Sequence, residues 1–261
     1  MKNFNYKTAS STKEAIKLFT KKAAFLAGGM TLLPAIKLRL AAYSDLVNIK
    51  KIKSLSGIKA SSKSVKIGSI TTHASVASSE EIKKTIPSIA ALAEGIGDPQ
   101  VRNRGTIGGS VANNDPAADY PSACLALNST IHTNKRKISA DKFFKGMFDT
   151  ALKKGELIEA IEFEIPEKSA YEKFPNPASR YAIVGVFVAK LKNETRVAIT
   201  GAGSCVFRSK DLEIALSSNF TSSAIDNINI SSDELNSDIH ASAEYRAHII
   251  KVMTKKAVLA C

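Results

Sequence analysis

Two glycine-rich segments constrain this chain more than anything else in it. One is Phe25-Leu26-Ala27-Gly28-Gly29-Met30-Thr31-Leu32-Leu33-Pro34. The other runs from Arg104 to Asp119 and packs three glycines (Gly105, Gly108, Gly109), two hydroxyls, two amides and two carboxylates into a short span. Neither helix nor strand periodicity extends far enough through the second segment to mark it as core. Glycines placed like this mark backbone that bends sharply or comes close to something else. Either segment alone reads as a tight turn. Two of them, each beside hydroxyls (Thr31 in the first, Thr106 and Ser110 in the second), point to one anionic ligand held between them.

Bulk properties set the frame for that ligand. A chain of 261 residues with 44% hydrophobic content is long enough for two or three lobes with their own cores. No apolar run approaches the length of about 18 residues that spans a bilayer, so no membrane insertion is expected. Met1–Lys7 leads into Ser and Thr rather than an apolar stretch, so no secretory signal is expected. A cytoplasmic location follows, with the inner face of the membrane as the alternative. Cys124, Cys205 and Cys261 are far apart and odd in number, which fits reduced thiols and no disulfide framework. An iron–sulfur cluster needs about four ligands, usually Cys, so any such cluster belongs to a partner chain. The formal charge is +13, from 37 Lys+Arg against 24 Asp+Glu. It is spread as single lysines and pairs without an Arg-rich helix, which favours a soluble Lys-rich surface over a specific nucleic-acid footprint.

Taken in order, Ser11-Thr12-Lys13-Glu14 is a capping box for a helix reaching Lys22. Ala23–Ala27 reads as a short buried strand entering Gly28-Gly29. Pro34 opens a helix over Ala35–Leu40, and Leu46–Ile49 is a second strand. Lys50–Ser64 separates this first lobe from the next. Residues 65–69 alternate as a strand, Thr71–Ala77 looks like a capped helix start, and Pro87 opens a helix with Ile89, Leu92, Ala93 and Ile96 on one face. Gly95 and Gly97 end that helix. Asp115-Pro116 forces a turn before an apolar helix at Ala123–Leu127. Ile161, Phe163 and Ile165 alternate as a strand. Beyond Pro175 and Pro177, Tyr181–Leu191 and Arg196–Ile199 read as a β-hairpin turning at Lys192-Asn193-Glu194. Helices are expected at Asp211–Leu216, Ser222–Ile228 and Ala243–Leu259. Gly201-Ala202-Gly203-Ser204-Cys205-Val206 imitates a dinucleotide-binding turn, but Val206 stands at the sixth position and no parallel βαβ unit follows, so a β-turn is the better reading. The whole reads as an α+β protein of about three lobes.

The two glycine segments also carry a resemblance. Ala27–Pro34 and Asp98-Pro99-Gln100-Val101-Arg102-Asn103-Arg104-Gly105-Thr106-Ile107-Gly108-Gly109-Ser110, continuing through Asp115–Pro121, resemble the FAD-binding medium subunit of molybdenum hydroxylases, the carbon monoxide dehydrogenase and xanthine dehydrogenase family. Lys173–Arg180 resembles the family's entry to its C-terminal domain, and Ala243-Glu244-Tyr245-Arg246 its terminal signature. The resemblance spans nearly the whole chain. It implies a two-lobed α/β FAD-binding domain (residues 1–60 and 61–176) of the PCMH type, then a C-terminal domain of antiparallel sheet plus helices (177–261). It also implies FAD on this chain, with molybdopterin on a large partner subunit and two [2Fe–2S] clusters on a small one, assembled as a dimer of heterotrimers. The chain's task would be to collect electrons and pass them to an external acceptor, a quinone or NAD.

Residue by residue, the resemblance implies that Phe25, Leu26, Ala27, Gly28, Gly29, Met30, Thr31 and Leu32 wrap the pyrophosphate and ribityl with backbone groups. Thr106, Ile107, Gly108, Gly109 and Ser110 would do so from the other side. Ile96 and Gly97 would line the cofactor, Asp119 would accept hydrogen bonds from its hydroxyls, and Ile158 and Lys173 would approach the flavin ring. Met30 and Ser110 vary among relatives. Read without the family, Asp119 serves equally as a helix N-cap and Lys173 as a surface lysine. His73 and His132 lack the spacing of metal ligands and read as structural or surface residues, with a place near the FAD open for His73. No catalytic acid, base or nucleophile pair stands out. Two other classes stay open at this point: a flavin oxidoreductase acting alone on its own substrate, and a basic nucleic-acid-binding module.

Overall fold

The computed structural model describes residues 2–261. Its first lobe is a small parallel sheet. Strands β1 (Asn5–Thr8), β2 (Ala23–Leu26) and β3 (Asp45–Asn48) stand in the order β1-β3-β2, joined through helices α1 (Thr12–Leu18) and α2 (Leu32–Lys37). Ser11 caps α1 by accepting the Glu14 N–H, while Glu14 reaches back to the Ser10 backbone. The helix stops at Leu18 rather than near Lys22, because Phe19 takes an extended conformation and packs its ring on Phe25, 4.5 Å between centroids. Helix α2 also starts earlier than Pro34 suggests: Pro34 is its third residue, where a missing N–H still costs nothing. Arg39, at φ 63°, ends it.

The segment expected to separate the lobes, Lys50–Ser64, is shared between them: Ile52 and Leu55 pack into the core of the first lobe, and the rest joins the sheet of the second. Strand β4 (Ile58–Ala60) pairs antiparallel with β5 (Ser64–Gly68). The lobe continues through α3 (His73–Ser78), α4 (Glu80–Thr85), α5 (Pro87–Glu94), α6 (Pro99–Arg104), α7 (Ile107–Asn113) and α8 (Tyr120–Ala126). Strands β6 (Thr130–Thr133) and β7 (Lys137–Ser139), the short helix α9 (Ala140–Phe143), the hairpin β8 (Phe144–Gly146) and β9 (Asp149–Thr150), and β10 (Ile158–Glu164) complete it. The sheet order is β4-β5-β10-β6-β7, antiparallel throughout. One face of it, with α5, α7 and α8, encloses a core that includes Ile67, Ile89, Leu92, Val111, Tyr120, Phe143 and Phe163.

The third lobe is a four-stranded antiparallel sheet of β11 (Lys168–Pro175), β12 (Ala182–Lys190), β13 (Thr195–Thr200) and β14 (Phe207–Arg208). Helices α10 (Lys210–Ser218) and α11 (Ala243–Ala260) cover one face of it. Period-2 alternation sends Val184, Val186 and Val188 toward the helices, and Phe187 and Ala189 into the core of the second lobe. The second and third lobes therefore share one sheet as a wall. The expected β-hairpin is present, with Lys190 opposite Thr195. Ser222–Ile225 forms only a 3₁₀ turn. Gly201 takes φ 83°, and the segment after it folds back into β14, so Gly201–Val206 is a turn within an antiparallel sheet. Arg246 from the terminal signature is buried; it donates to the carbonyls of Ile183 (2.6 Å) and Gly201 (3.0 Å) and pairs with Asp238 at 2.7 Å, which pins α11 to the ends of β12 and β13.

Candidate cofactor site

The two glycine segments touch. A side chain on Gly28 would overlap the Arg104 carbonyl oxygen and come within 2.8 Å of Gly105 Cα, so only glycine permits this approach. Gly29 sits at φ 79°, where other residues are strained. The backbone N–H groups of Gly28, Gly29, Met30 and Thr31 donate to no acceptor within the described residues, whereas the carbonyls of Gly29 and Thr31 already accept from Leu33 and Ala35 in α2. The carboxyl ends of three parallel strands, a run of free amides and the start of a helix thus converge at one point. Open α/β sheets bind anionic ligands at such carboxyl edges. A pyrophosphate fits this donor set.

The second segment is helical where a loop was expected. Thr106 caps α7 by accepting the Gly109 N–H at 3.1 Å, and Gly108 and Gly109 lie in the first turn of that helix. Seven residues with three apolar side chains are too few for the helical period to show in the sequence. The amides are also taken. Ile107 N–H donates to Thr71, Gly108 N–H to Ser69 at 2.8 Å, and Ser110 N–H to Thr106. Amide donation from Ile107–Ser110 to a ligand is therefore not available in this geometry, whereas the Thr106 N–H has no acceptor among the described residues. What the segment offers besides is the bare, exposed face of Gly109 and the Ser110 hydroxyl, which has no partner among the described residues. Gly108 has a packing reason: a Cβ there would strike the Ser69 backbone.

A second node lies at the far end of α6. Gly97, at φ 50°, turns the chain after α5, and Asp98 caps α6 by accepting the Val101 N–H at 2.8 Å. The Gly97 carbonyl accepts from Arg102 (3.1 Å) and Arg180 (3.0 Å), the Ile96 carbonyl from Arg102 (3.1 Å), and the Gly95 carbonyl from Lys173 (2.8 Å). Lys173 Nζ also meets Asp119 Oδ1 at 3.0 Å, and the Tyr171 hydroxyl donates to that oxygen at 2.5 Å. Asp119 makes no side-chain N-cap bond. It is 5% exposed, and burial raises its pKa above the usual carboxylate range against the pull of Lys173 and Tyr171. In this arrangement Lys173 spends its donors on Gly95, Asp119 and the Arg180 carbonyl (3.1 Å).

The expected site residues thus fall into two clusters, Phe25–Leu32 with Thr106–Ser110 at one end of α6, and Ile96-Gly97 with Asp119 and Lys173 at the other. Six helical residues separate them by about 9 Å. An extended dinucleotide must be held at several separated points, and this spacing provides two. Ile158 stands apart from both: it is buried in the core at the start of β10. Arg102, Arg180 and Tyr171 organise the second cluster and were not among the expected residues. Arg102 and Arg180 do lie inside the quoted motifs, but a guanidinium that recognises backbone carbonyls leaves no periodic signal.

Three buried polar atoms without partners surround the second glycine segment: Ser69 Oγ, His73 Nδ1 and Tyr120 Oη. The His73 ring lies against Gly105, 5.4 Å from the Tyr120 ring. Burial, with a smaller push from Arg102, lowers the His73 pKa to about 4. His73 is therefore a neutral packing residue at neutral pH. A base whose folded pKa lies below its unfolded value of about 6.5 stabilises the fold above that value and withdraws the stability as pH falls toward about 4. Wild-type chain is expected to lose up to about 3 kcal/mol from this group across that window. A His73→Phe variant should lose less over the same window in urea titrations. Equal losses would show that His73 does not titrate in the folded core.

Comparisons with known proteins identify the family. The profile described as "FAD binding domain in molybdopterin dehydrogenase" matches residues 2–167. The chain belongs to this family. It is 34% identical to the glyceraldehyde dehydrogenase medium chain of Sulfolobus acidocaldarius, over 97% of this chain and 96% of that one. It is 30% identical to the 6-hydroxypseudooxynicotine dehydrogenase complex subunit alpha of Paenarthrobacter nicotinovorans, over 97% and 93%. Its fold superposes on carbon monoxide dehydrogenase from Hydrogenophaga pseudoflava, in a form lacking the Mo-pyranopterin moiety, with a TM-score of 0.91 at 32% identity, covering 99% of this chain and 97% of that one. The chain is accordingly an FAD-binding medium subunit of the molybdenum hydroxylase family, an oxidoreductase component. Among the described residues no group of three or more His, Cys, Asp or Glu could hold a metal ion. Nor, among those residues, is any helix long and apolar enough to cross a membrane.

Proposed function

We propose that this chain is the electron-transfer subunit of a carbon monoxide dehydrogenase-like or xanthine dehydrogenase-like complex, accepting electrons from the [2Fe–2S] clusters of a small subunit and passing them to a quinone or NAD. A large molybdopterin subunit would carry out substrate oxidation, and the complex would be a dimer of heterotrimers. The observation that carries this reading is the backbone contact of Gly28 with Arg104-Gly105, which places four free amides beside a second glycine segment. The residues present fit FAD, which supplies two-electron redox chemistry when bound. Gly28–Thr31 would bind the pyrophosphate through their amides. Gly109 and Ser110 would border it from the second lobe, and Ile96-Gly97, held by Arg102 and Arg180, would fix the course of the remainder. Asp119 and Lys173 would orient cofactor hydroxyls and the ring edge by exchanging part of their mutual pairing for the ligand. Ile158 would act from behind, as packing.

The named substrates of the relatives differ: an aldehyde in one, a nicotine derivative in another, carbon monoxide in a third. This supports placing substrate choice on a partner chain. The test is to purify the chain with its neighbours and record the absorption spectrum and extractable flavin. Absence of FAD from the intact complex would falsify the reading. Gly109→Val separates cofactor loss from misfolding, because a Cβ there meets only the Thr106 hydroxyl, at 2.9 Å. That variant is expected to keep its thermal midpoint within a few degrees while retaining less than about a tenth of the flavin, a loss of more than about 1.4 kcal/mol in binding. Full retention would remove Gly109 from the site.

A further inference from the structure

The free amides of Gly28–Thr31 have two cations beside them that no role yet explains. Lys50 stands two residues beyond the central strand β3, and the N–H of Ile49 between them donates to the Leu26 carbonyl at 3.1 Å, so Lys50 lies on the same carboxyl edge as Gly28. Its own N–H is held by Asn48 Oδ1 at 3.0 Å, which fixes the backbone there. Arg104 comes from the other lobe and lays its carbonyl against Gly28. Both residues are exposed. Some cations of these lobes are paired, Lys7 with Asp45, Arg102 with Glu94 and Lys173 with Asp119, and others such as Lys51 and Lys53 are not; the placement of Lys50 and Arg104 on either side of Gly28 sets those two apart. Lys50 and Arg104 have no carboxylate partner among the described residues. They do sense each other, since the ammonium of Lys50 is pushed below its usual pKa, first by partial burial and then by the Arg104 guanidinium. Glu14, the acid closest in sequence to the end of β1, is occupied by the Ser10 amide and hydroxyl.

The backbone contacts put Lys50 and Arg104 on either side of Gly28, at the junction between the lobes, where two like charges repel. The arrangement becomes favourable when a dianion lies between them. We propose that Lys50 and Arg104 form a two-cation clamp on the diphosphate of the bound dinucleotide, one cation from each lobe, closing over the amides of Gly28–Thr31. This rests on the FAD reading above and deepens it. The amides give the diphosphate its position; the clamp supplies charge neutralisation and ties the first lobe to the second only when the cofactor is present. Neither residue recognises the flavin, so the clamp would act equally on any ligand carrying a diphosphate at this place.

The experiment measures FAD binding to the full chain assembled with its neighbours, by flavin fluorescence, with ADP as a competing probe that carries the diphosphate without the flavin. The variants are Lys50→Met, Arg104→Met, their combination, and Lys50→Arg. Each single charge loss is expected to weaken FAD about fivefold, and the pair about twenty-fivefold if the two effects add. ADP should weaken in parallel, and Lys50→Arg should restore most of the affinity. Raising the salt concentration should weaken FAD on the wild-type chain and do so much less on the double variant. Thermal midpoints of the cofactor-free variants should equal or exceed the wild type, because the repulsion is relieved. Unchanged FAD affinity in the double variant overturns the clamp and leaves the FAD reading standing. A wild-type chain that takes up no FAD, yet loses ADP binding in the double variant, removes the FAD reading and leaves the anion site. Binding of neither FAD nor ADP to the wild type overturns both.

Discussion

Gly28→Ala is expected to abolish flavin retention and to lower the stability of the chain by about 2–4 kcal/mol. The added methyl would enter the Arg104 carbonyl, with Gly105 Cα at 2.8 Å behind it. These are backbone atoms, not the end of a flexible side chain, so the methyl cannot be accommodated by a rotamer change. The two glycine segments must part, and the free amides of Gly28–Thr31 then lose their register with Gly109. Urea unfolding and extracted flavin, measured on the same preparation, report both effects. Gly29→Ala is a useful companion, because its φ of 79° predicts strain of about 1–2 kcal/mol without a collision across the lobes. A Gly28→Ala chain with wild-type flavin content and unfolding midpoint would mean that the segments do not touch.

Lys173→Met should cost a similar amount for an electrostatic reason. Lys173 and Asp119 have side chains 10% and 6% exposed and meet at 3.0 Å. Removing one member of a buried pair leaves the other charge uncompensated, at about 3–5 kcal/mol. Asp119 is already raised by burial, and without Lys173 it rises further. A carboxyl whose folded pKa lies above its unfolded value destabilises the fold progressively as pH rises past the ordinary carboxylate range. The deficit of Lys173→Met should therefore be larger at neutral pH than in mild acid. Adding Asp119→Asn should recover much of it, since the amide needs no counter-charge and can still meet the Tyr171 hydroxyl. A deficit independent of pH, or no recovery in the double variant, would assign the loss to the Gly95 and Arg180 carbonyls that Lys173 also holds.

The legible parts of this structure were those whose physics repeats or excludes along the chain. The helix at Pro87–Glu94 and the terminal helix Ala243–Ala260 announce themselves through apolar spacing over several turns. Gly28 and Gly29 announce a close approach because no other residue could stand there. Helices α6 and α7 were hidden, with six and seven residues and glycines in the first turn of the second. Strand β4, three residues inside a Lys/Ser-rich stretch, was hidden for the same reason: it is held by pairing with β5 and not by a pattern of its own. The Asp119–Lys173 pair joins residues 54 positions apart, and nothing in either neighbourhood specifies the other. The family resemblance brought both into view, but as ligands of a cofactor and not as partners of each other.

Helix α6 has one further consequence. Gly97 and Gly105 stand at its two ends, and each is fixed from outside, the first by the Arg180 guanidinium and the second by His73 and the chain reversal at Gly28. One residue inserted between them would turn one end relative to the other by about 100° and lengthen the span by about 1.5 Å. Both anchor points would then be lost at once, since neither can rotate with the helix. The six residues Pro99–Arg104 therefore act as a gauge whose length cannot drift, even where their exposed side chains, such as Asn103, are free to change. Surface loops elsewhere in the chain can lengthen at little cost; this short exposed segment cannot.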